Sequence, residues 1–363
     1  MPCYRNFTFV GLFFISVPGC YFLHAQFVIP TNKHPNTMKT TWRKTYTDPN
    51  HLEIVEQPTP VPAKNEVRIK VHACSVNRTD TSVLNGSPYI FRFFVGWPKP
   101  RRAATGTDFA GVVDAIGSDV THFKVGDRVL GFHDHGTGSH AEYTVVDAST
   151  PMIKLPNHIP FETAAAVTEG AHYAVGFLAH AKLNGDERVL VYGVTGAIGS
   201  AMIQILQSRG IACTGVYDSR YVSNAGRAAA ALSSLGIKHL IDAAHEDFLA
   251  TQNRYDFVFD AVGKSRFATC KPLLKNGGYY LSSELGPGSE NVWLSLAAPF
   301  MKKAKVRFPI PKKIEDSLEV IAELLTNGKL KPLIDRSYPL DDAAQAFTYV
   351  LSERKLGSVL LLP

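Results

Sequence analysis

Cysteine is scarce in this chain: among 363 residues there are five cysteines, and no two of them form a CxxC pair. An odd number without paired spacing is typical neither of a disulfide framework nor of a structural zinc site. No Ser-His-Asp or Cys-His arrangement that would indicate nucleophilic catalysis stands out either. The cysteines therefore favour a reducing compartment, and we expect a cytoplasmic protein.

A strong net charge is also lacking, since the formal net charge is +6 and charged residues of both signs are interspersed along most of the chain. One basic run, KKAKVRFPIPKK, occupies residues 302–313. It could contact a membrane or a nucleic acid, but lysines that protect a strand edge are the favoured interpretation. Because no basic motif with interleaved aromatic residues is present, we expect no nucleic-acid partner.

Long apolar runs are few. Residues 7–17 are almost uninterrupted, but a proline, a glycine and polar residues follow soon after them, which argues against a stable membrane span. We interpret residues 1–37 as an N-terminal extension or targeting segment: a secretory signal, a membrane-proximal anchor, or an extension ahead of a start at Met38. The last is favoured, and export or membrane association is expected only through this segment.

The chain is 363 residues long and 45% hydrophobic, which exceeds what one core usually supports, so two domains are expected. From Met38 onward the sequence first shows short strand-like segments such as EVRIKVHACSV and FAGVVDAIG, separated by Gly, Pro and Asp. This pattern predicts a compact, partly barrel-like β domain that precedes an α/β domain.

The most informative segment is RVLVYGVTGAIG, residues 188–199, followed directly by the apolar SAMIQILQ. It predicts a short buried strand, a tight glycine turn and a helix. The unpaired N–H groups that begin such a helix can hold a pyrophosphate. We therefore predict a phosphate-binding loop made of Gly193, Thr195, Gly196, Ala197, Ile198 and Gly199.

Its spacing, GxxGxxG, is one residue longer between the first two glycines than the dinucleotide motif GxGxxG. Without further evidence, these glycines could simply end a strand and begin a helix in an α/β domain that binds no dinucleotide. Further strand-like runs at residues 211–217, 239–242, 255–262 and 278–283 alternate with polar or helix-forming segments. They predict a doubly wound parallel sheet of the Rossmann type, with Val262 and Gly263 near the nicotinamide, because ligands lie at the carboxyl ends of such strands.

Five segments in this order resemble the medium-chain dehydrogenases and reductases, in particular the zinc-free quinone oxidoreductase branch: NEVRIKVHACSVNRTD, GTDFAGVVDAIGSDVTHFKVGDRVLGF, GSHAEYTVV, VYGVTGAIGSA and YDFVFDAVGK. The resemblance covers residues 38–363. It implies a GroES-like β-rich catalytic domain at 38–161, a Rossmann domain at 162–311, and a return to the catalytic domain at 312–363. It also implies a homodimer in which the strand KVRFPI pairs with its copy, although a monomer stays open.

Zinc-dependent relatives place their catalytic ligands where the resemblance puts Asn77, Thr107 and Glu169. Amide and hydroxyl groups are poor zinc ligands, so of these three residues only Glu169 could serve. No group of four closely spaced cysteines is present either, and we predict no bound zinc. Zinc would polarise the carbonyl oxygen of a simple ketone, and reduction of such a ketone without zinc lacks that electrophile. A conjugated acceptor instead spreads the arriving negative charge through its own π-system.

We therefore predict hydride transfer from a nicotinamide cofactor to a small electrophilic substrate, a quinone or an α,β-unsaturated carbonyl. Two alternatives stay open: a zinc-free alcohol or aldehyde dehydrogenase, and a cofactor-binding, redox-sensing or partner-binding module with little turnover.

The candidate catalytic residues lie in SVNRTD and GTDF: Asn77, Asp80 and Thr107. The resemblance places Asn77 at the floor of the active cleft, where its amide could donate to a substrate oxygen. Structural roles are the alternative, since Asp80 could cap a following helix and Asp108 could fix a turn.

An aromatic segment, SPYIFRFFVGWP, supplies two candidates for a flat apolar substrate pocket, Tyr89 and Phe94. Packing or partner contact is the competing interpretation of both side chains, because other aromatic residues surround them.

The cofactor choice depends on the end of the strand at 211–217, where the adenosine ribose should fall. A carboxylate such as Asp218 favours NADH, whereas Arg220 could face the 2′-phosphate of NADPH. By the register of the resemblance, the NADH-selecting acid belongs nearer to Tyr217, which leaves Asp218 one step late. We predict that Ser219 and Arg220 help to bind NADPH, with NADH as the second choice.

Overall fold

The structure is a computed structural model, and it describes residues 37–181, 183–308 and 313–363. The segment predicted as an extension or targeting signal, residues 1–37, therefore lies outside the described residues apart from Thr37, which begins the first strand. Among the described residues, 37–181, 183–308 and 313–363, no helix is both long enough and apolar enough to cross a bilayer.

The N-terminal part is rich in short strands. Its elements are β1 (Thr37–Trp42), β2 (Glu53–Pro58), β3 (Glu66–Val76), α1 (Arg78–Asn85), α2 (Arg92–Val95), β4 (Asp108–Ile116), β5 (Arg128–Phe132), β6 (Tyr143–Asp147), β7 (Met152–Lys154) and α3 (Phe161–Ala181). Asp108 begins a strand, so the alternative that it fixes a turn is wrong.

The middle part alternates strands and helices. Its elements are β8 (Arg188–Tyr192), α4 (Ala197–Ser208), β9 (Ala212–Tyr217), α5 (Ala225–Ser234), β10 (Leu240–Asp242), β11 (Tyr255–Asp260), α6 (Phe267–Cys270), β12 (Leu274–Ser282), α7 (Glu290–Ala297) and β13 (Ala304–Val306). The C-terminal part adds α8 (Ile314–Thr326), β14 (Ile334–Pro339), α9 (Ala343–Leu351) and β15 (Ser358–Leu362).

The strands of the middle part form a six-stranded parallel sheet in the order β10-β9-β8-β11-β12-β13. Val189, Leu190 and Val191 in β8 are all fully buried, as expected for a strand covered on both faces. The order reverses between β8 and β11, and ligands of such sheets bind at the carboxyl ends of the strands at this point. The fold is therefore the expected α/β class, with a Rossmann-type sheet beside a GroES-like β-rich part.

The β-rich part contains a seven-stranded sheet in which the order β14-β15-β3-β4-β5-β7 is extended by β6 pairing with β3. The central strand β3 directs Val67, Ile69 and Val71, at alternate positions, into the same core. The C-terminal strand β15 pairs antiparallel with β3, so the end of the chain returns to the first sheet.

The last turn before β15 also contacts the Rossmann-type part. Gly357 N donates to Thr195 O over 2.6 Å, and Gly196 forms an isolated parallel bridge with Gly357. The loop after β8 is thus tied directly to the segment that leads into β15.

The helix α3 joins the two sheets. It has 21 residues with buried alanines on several sides, and it packs against α4, α8 and the strands of the first sheet. A helix that is apolar nearly all round belongs in an interior. The bounds 38–161, 162–311 and 312–363 stay predictions, as does pairing of the edge strand β13 with a second copy.

Candidate active site

A cavity of about 670 Å³ lies where α1, α2 and α3 face the carboxyl ends of β8, β9 and β11. Its polar and aromatic wall includes Asn77, Thr79, Phe91, Phe94, Asp134, His135, Glu169, His172 and Tyr173. Its other end includes Gly193, Thr195, Gly196, Ala197, Ile198, Asp218, Tyr221, Ala261, Val262, Lys264 and Lys355. One continuous space therefore joins the phosphate loop to an aromatic pocket.

The phosphate loop fits a pyrophosphate. Gly193 has a φ of +89°, and a Cβ on Gly199 would lie 2.3 Å from Gly193 O, so both positions need glycine. The first intrahelical bond of α4 runs from Ser200 N to Gly196 O, which leaves the preceding amides of the helix available to an anion. This backbone geometry can hold a dinucleotide phosphate without a cationic side chain.

The end of β9 carries an ion pair between the two residues that bear on cofactor choice. Asp218 Oδ2 accepts from Arg220 Nη2 over 2.6 Å, and Asp218 Oδ1 accepts from Arg220 Nε over 2.9 Å. The Asp218 side chain is 7% exposed and the Arg220 side chain 64% exposed. The hydrogen bonds from Arg220 lower the pKa of Asp218. Asp218 lines the cavity, whereas Ser219 and Arg220 are outside its lining.

Asn77 is held firmly at the cavity wall, where it precedes α1 as its N-cap residue. Its backbone N donates to Asp80 Oδ2 over 2.8 Å, and its side-chain Nδ2 donates to Ser75 Oγ. Asp80 therefore serves the start of the helix, the structural role that the sequence left open.

Asp80 and Thr107 are fully buried and do not reach the cavity, in contrast to the catalytic contacts predicted for them. The Asp80 side chain points toward the start of α1, where its Oδ2 accepts from the backbone N of Asn77. Their predicted catalytic role is therefore not supported by their position.

A buried network behind Asn77, which the sequence did not reveal, positions it. Ser75 N donates to Asp108 Oδ1 over 2.7 Å, and Ser75 Oγ donates to Asp108 Oδ2. His140 Nε2 lies 2.9 Å from Ser75 O and must donate to it, so Nδ1 accepts from Thr105 Oγ1 at 2.8 Å. These bonds hold the C-terminal end of β3 in place, and Asn77 follows that end directly.

Burial shifts the pKa values in this network. Desolvation raises the pKa of Asp80 to about 7, and desolvation with the nearby charge of Asp80 raises the pKa of Asp108 to about 8. Desolvation lowers the pKa of His140 to about 4. All three groups are therefore disfavoured in their charged forms.

These shifts predict a stability that falls with rising pH. Above the His140 reference pKa of 6.5, the folded protein still holds the Asp80 and Asp108 protons that an unfolded chain has released. Stability is therefore lost as pH rises through the folded pKa values, whereas the opposing effect of His140 acts only below 6.5. We expect the free energy of unfolding to drop by about 2 kcal/mol between pH 6.5 and pH 8 in urea titrations.

Asp108→Asn is the matched variant for this measurement, because it keeps the shape of the side chain and removes its ionisation. Its unfolding free energy should change much less over the same pH range. An equally steep decline in Asp108→Asn would contradict the assignment.

The aromatic segment divides between cavity and surface. Phe94 lines the cavity and stacks on His135, which also lines it, with ring centroids 5.8 Å apart. Tyr89 is 57% exposed, packs edge-on against Trp97 and is outside the cavity lining. Of the two residues predicted to line the substrate pocket, Phe94 therefore reaches the cavity and Tyr89 does not.

Most predicted cofactor residues come together at the cavity: Gly193, Thr195, Gly196, Ala197, Ile198 and Val262. Gly199 lies behind them in α4, and Gly263 follows Val262 outside the lining. Within the described residues, no group of three or more His, Cys, Asp or Glu side chains is arranged to hold a metal ion.

The sequence analysis missed His172 and Tyr173 on the polar face of α3, and it considered Glu169 only as a zinc-ligand position. Glu169, His172 and Tyr173 all line the cavity, and Tyr173 Oη donates to Asp134 Oδ1 over 2.9 Å. The residues themselves gave one signal, a glutamate and a histidine within an alanine-rich helical segment, TEGAHYAV.

Family models match three parts of the chain. Residues 63–157 match the alcohol dehydrogenase GroES-like domain, residues 235–361 match a zinc-binding dehydrogenase model, and residues 189–270 match the NAD dependent epimerase/dehydratase family. The matches cover both the β-rich part and the Rossmann-type part.

Whole-length relatives agree with these matches. A chloroplastic quinone-oxidoreductase of Triphysaria versicolor is 30% identical, over 86% of this chain and 94% of the relative. The 2-methylene-furan-3-one reductase of Solanum lycopersicum is 29% identical, over 91% of this chain and 80% of the relative. The structure of the quinone oxidoreductase from Coxiella burnetii superposes with a TM-score of 0.74 at 27% identity, covering 90% of this chain and 99% of that one.

Proposed function

Because the chain belongs to the medium-chain dehydrogenase/reductase superfamily, in its quinone oxidoreductase-like branch, we propose that it reduces quinones or α,β-unsaturated carbonyls with NADPH and without zinc. Membership makes the chain an NAD(P)H-dependent oxidoreductase. The acceptor, the choice of NADPH and the absence of zinc are our proposal.

The observation that carries the proposal is the continuity of the cavity from the phosphate loop to Asn77, Phe91 and Phe94. Aromatic walls suit a flat conjugated acceptor. A dinucleotide held by its pyrophosphate on the phosphate loop would supply hydride from its nicotinamide ring to such an acceptor. The names of the relatives point the same way, since they include quinone oxidoreductases and a reductase of 2-methylene-furan-3-one.

The proposal of zinc-free chemistry rests on the donor groups. Asn77 offers an amide whose Nδ2 already donates to Ser75, and Thr107 is a fully buried hydroxyl. Of the three positions that carry zinc ligands in zinc-dependent relatives, only Glu169 offers a carboxylate, and one such group does not make the set of anionic or imidazole ligands that zinc requires.

The proposal of NADPH rests on the state of Asp218. Its carboxylate accepts from the backbone N and two guanidinium nitrogens of Arg220, so little of it is left to accept from ribose hydroxyls. The Arg220 guanidinium also neutralises a charge that would repel a 2′-phosphate.

A cytoplasmic site of action is part of the same proposal. All three cysteines of the described part, Cys74, Cys213 and Cys270, are free thiols, as in proteins of reducing compartments.

The deciding experiment is steady-state oxidation of NADPH by the full chain against quinones, enones, saturated aldehydes and alcohols. We expect turnover with quinones and enones, with saturated carbonyls at least about tenfold slower because they cannot delocalise the arriving charge. Activity should survive treatment with a chelator.

Three outcomes would contradict the proposal. Preference for saturated aldehydes or alcohols would favour the alcohol dehydrogenase alternative. Cofactor binding without turnover would favour a redox-sensing module. Stoichiometric zinc in a metal analysis of the purified protein would overturn the zinc-free chemistry.

A further inference from the structure

Two residues that line the cavity, Glu169 and His172, each have a buried polar atom without a hydrogen-bond partner among the described residues, Oε2 and Nδ1. The two residues are 6% and 1% exposed. They lie three positions apart on α3, which places them on the same face of the helix. Buried polar atoms are normally paired, so two orphans on one cavity wall indicate a polar ligand group between or beside them.

The hydrogen bonds of Glu169 distinguish its two oxygens. Thr79 Oγ1, from the first turn of α1, donates to Glu169 Oε1. Oε1 is therefore an acceptor, and Oε2 is the oxygen left to carry a proton. Thr79 also lines the cavity, two residues beyond Asn77, so the carboxyl group is fixed beside the proposed acceptor pocket.

The position of Glu169 on α3 is itself precise. A Cβ on the next residue, Gly170, would lie 2.6 Å from the backbone C and O of Ala197 in the phosphate loop. Only glycine permits this approach of α3 to the start of α4. The close approach brings the Glu169 carboxyl group to the same cavity as the amides that hold the cofactor.

The surroundings of Glu169 favour its neutral form. Burial raises its pKa well above the ordinary value, and three nearby carboxyl groups add to the shift when they are ionised: Asp80, Asp108 and Asp134. Lys355 and Tyr173 also face Glu169, but burial lowers the pKa of Lys355 and raises that of Tyr173. Burial likewise lowers the pKa of His172, so the imidazole is neutral.

We propose that Glu169 is the proton donor of the reduction, with its Oε2–H directed at the carbonyl oxygen of the acceptor. This inference rests on the proposed function. The acceptor carbon receives the hydride, the π-electrons move to the carbonyl oxygen, and that oxygen takes the proton as the Oε2–H bond breaks. An enone thus becomes an enol, which tautomerises to the saturated ketone, and the Glu169 carboxylate regains a proton from water.

Glu169→Gln tests the proposal with little change in shape. Its Oε1 still accepts from Thr79 and its Nε2 still donates a hydrogen bond, but it releases no proton. We expect kcat with an enone to fall at least about 100-fold while KM changes less than about threefold. Circular dichroism and the Kd for NADPH should match the wild type.

Glu162→Gln is the matched control, because it makes the same change at an exposed position of α3. It should keep wild-type kcat. His172→Asn tests the competing donor: a large loss of kcat in His172→Asn with wild-type kcat in Glu169→Gln would overturn the proposal. Wild-type kcat in both variants would overturn it as well.

A second variant, Thr79→Val, tests the proposal if Glu169→Gln does not fold. It removes the hydrogen bond that orients the acid, and we expect kcat to fall about tenfold with an unchanged Kd for NADPH. An unchanged kcat in Thr79→Val would overturn the proposal. A wild type that reduces neither quinones nor enones contradicts the proposed function, whereas an active wild type equalled by Glu169→Gln contradicts only the proton donor.

Discussion

Gly199→Ala is expected to raise the dissociation constant for the nicotinamide cofactor about 100-fold or more, because the phosphate loop cannot keep its shape. The new Cβ would lie 2.3 Å from Gly193 O and 2.8 Å from Gly193 C, which are backbone atoms and cannot rotate away. The loop must therefore move, and its backbone N–H groups then no longer point at the phosphates of the cofactor. Isothermal titration with NADPH and with NADH measures the effect.

Gly226→Ala is the control for this prediction. Gly226 also lies in the first turn of a helix, α5, but it is exposed and a Cβ there would meet only Asn224 Oδ1 at 3.8 Å. The Gly226→Ala variant should bind the cofactor as the wild type does. Its free energy of unfolding should be unchanged or raised by about 0.5–1 kcal/mol, since alanine has a higher helix propensity than glycine. Wild-type affinity in Gly199→Ala would show that the loop after β8 does not bind the cofactor.

Arg220→Ala is expected to reverse the cofactor preference. In the wild type, NADPH should bind more tightly than NADH by about 10- to 150-fold, the value of one charge-assisted hydrogen bond to the 2′-phosphate. The substitution removes that cation and also two of the three donors to the Asp218 carboxylate, Arg220 Nε and Nη2, while the backbone N of residue 220 still donates to Oδ1. The freed carboxylate can accept from the ribose hydroxyls of NADH and repels a phosphate.

The measurement is the ratio of the two dissociation constants in each protein. Arg209→Ala serves as the control, since this exposed arginine caps the opposite end of α4 from the phosphate loop. Its ratio should equal that of the wild type. Tighter binding of NADH by the wild type would show that Asp218, despite its ion pair, determines the choice.

The phosphate loop was predictable because its chemistry is local. Strand, glycine turn and helix follow one another within residues 188–208, so the sequence alone indicates an anion site. The parallel sheet was predictable for a similar reason, since each βα unit has its own apolar pattern.

The polar wall of the cavity was not predictable, because it depends on packing between distant segments. Glu169 faces a cavity only because Gly170 lets α3 approach Ala197. Lys355 joins the same cavity from the C-terminal end of the chain. No periodicity in a helix so uniformly apolar indicates which of its polar residues meets a ligand and which is simply buried.

Proximity in sequence was misleading at the other site residues. Asp80 lies three positions from Asn77, yet one side chain is directed to the helix start and the other lines the cavity. Tyr89 and Phe94 share one aromatic segment, but they lie in successive short helices, and Tyr89 packs on Trp97 whereas Phe94 packs on His135. Residue type and spacing indicated the right segments, and local backbone geometry decided which side chains reach the ligand.

The bond from Gly357 N to Thr195 O has a thermodynamic consequence, because it joins the loop that receives the phosphates to the strand that closes the first sheet. Any coupling between cofactor binding and docking of β15 through this bond is reciprocal, so each process changes the free energy of the other by the same amount. The C-terminal strand would then act as an effector within the same chain, on a site that it contacts only at the loop after β8.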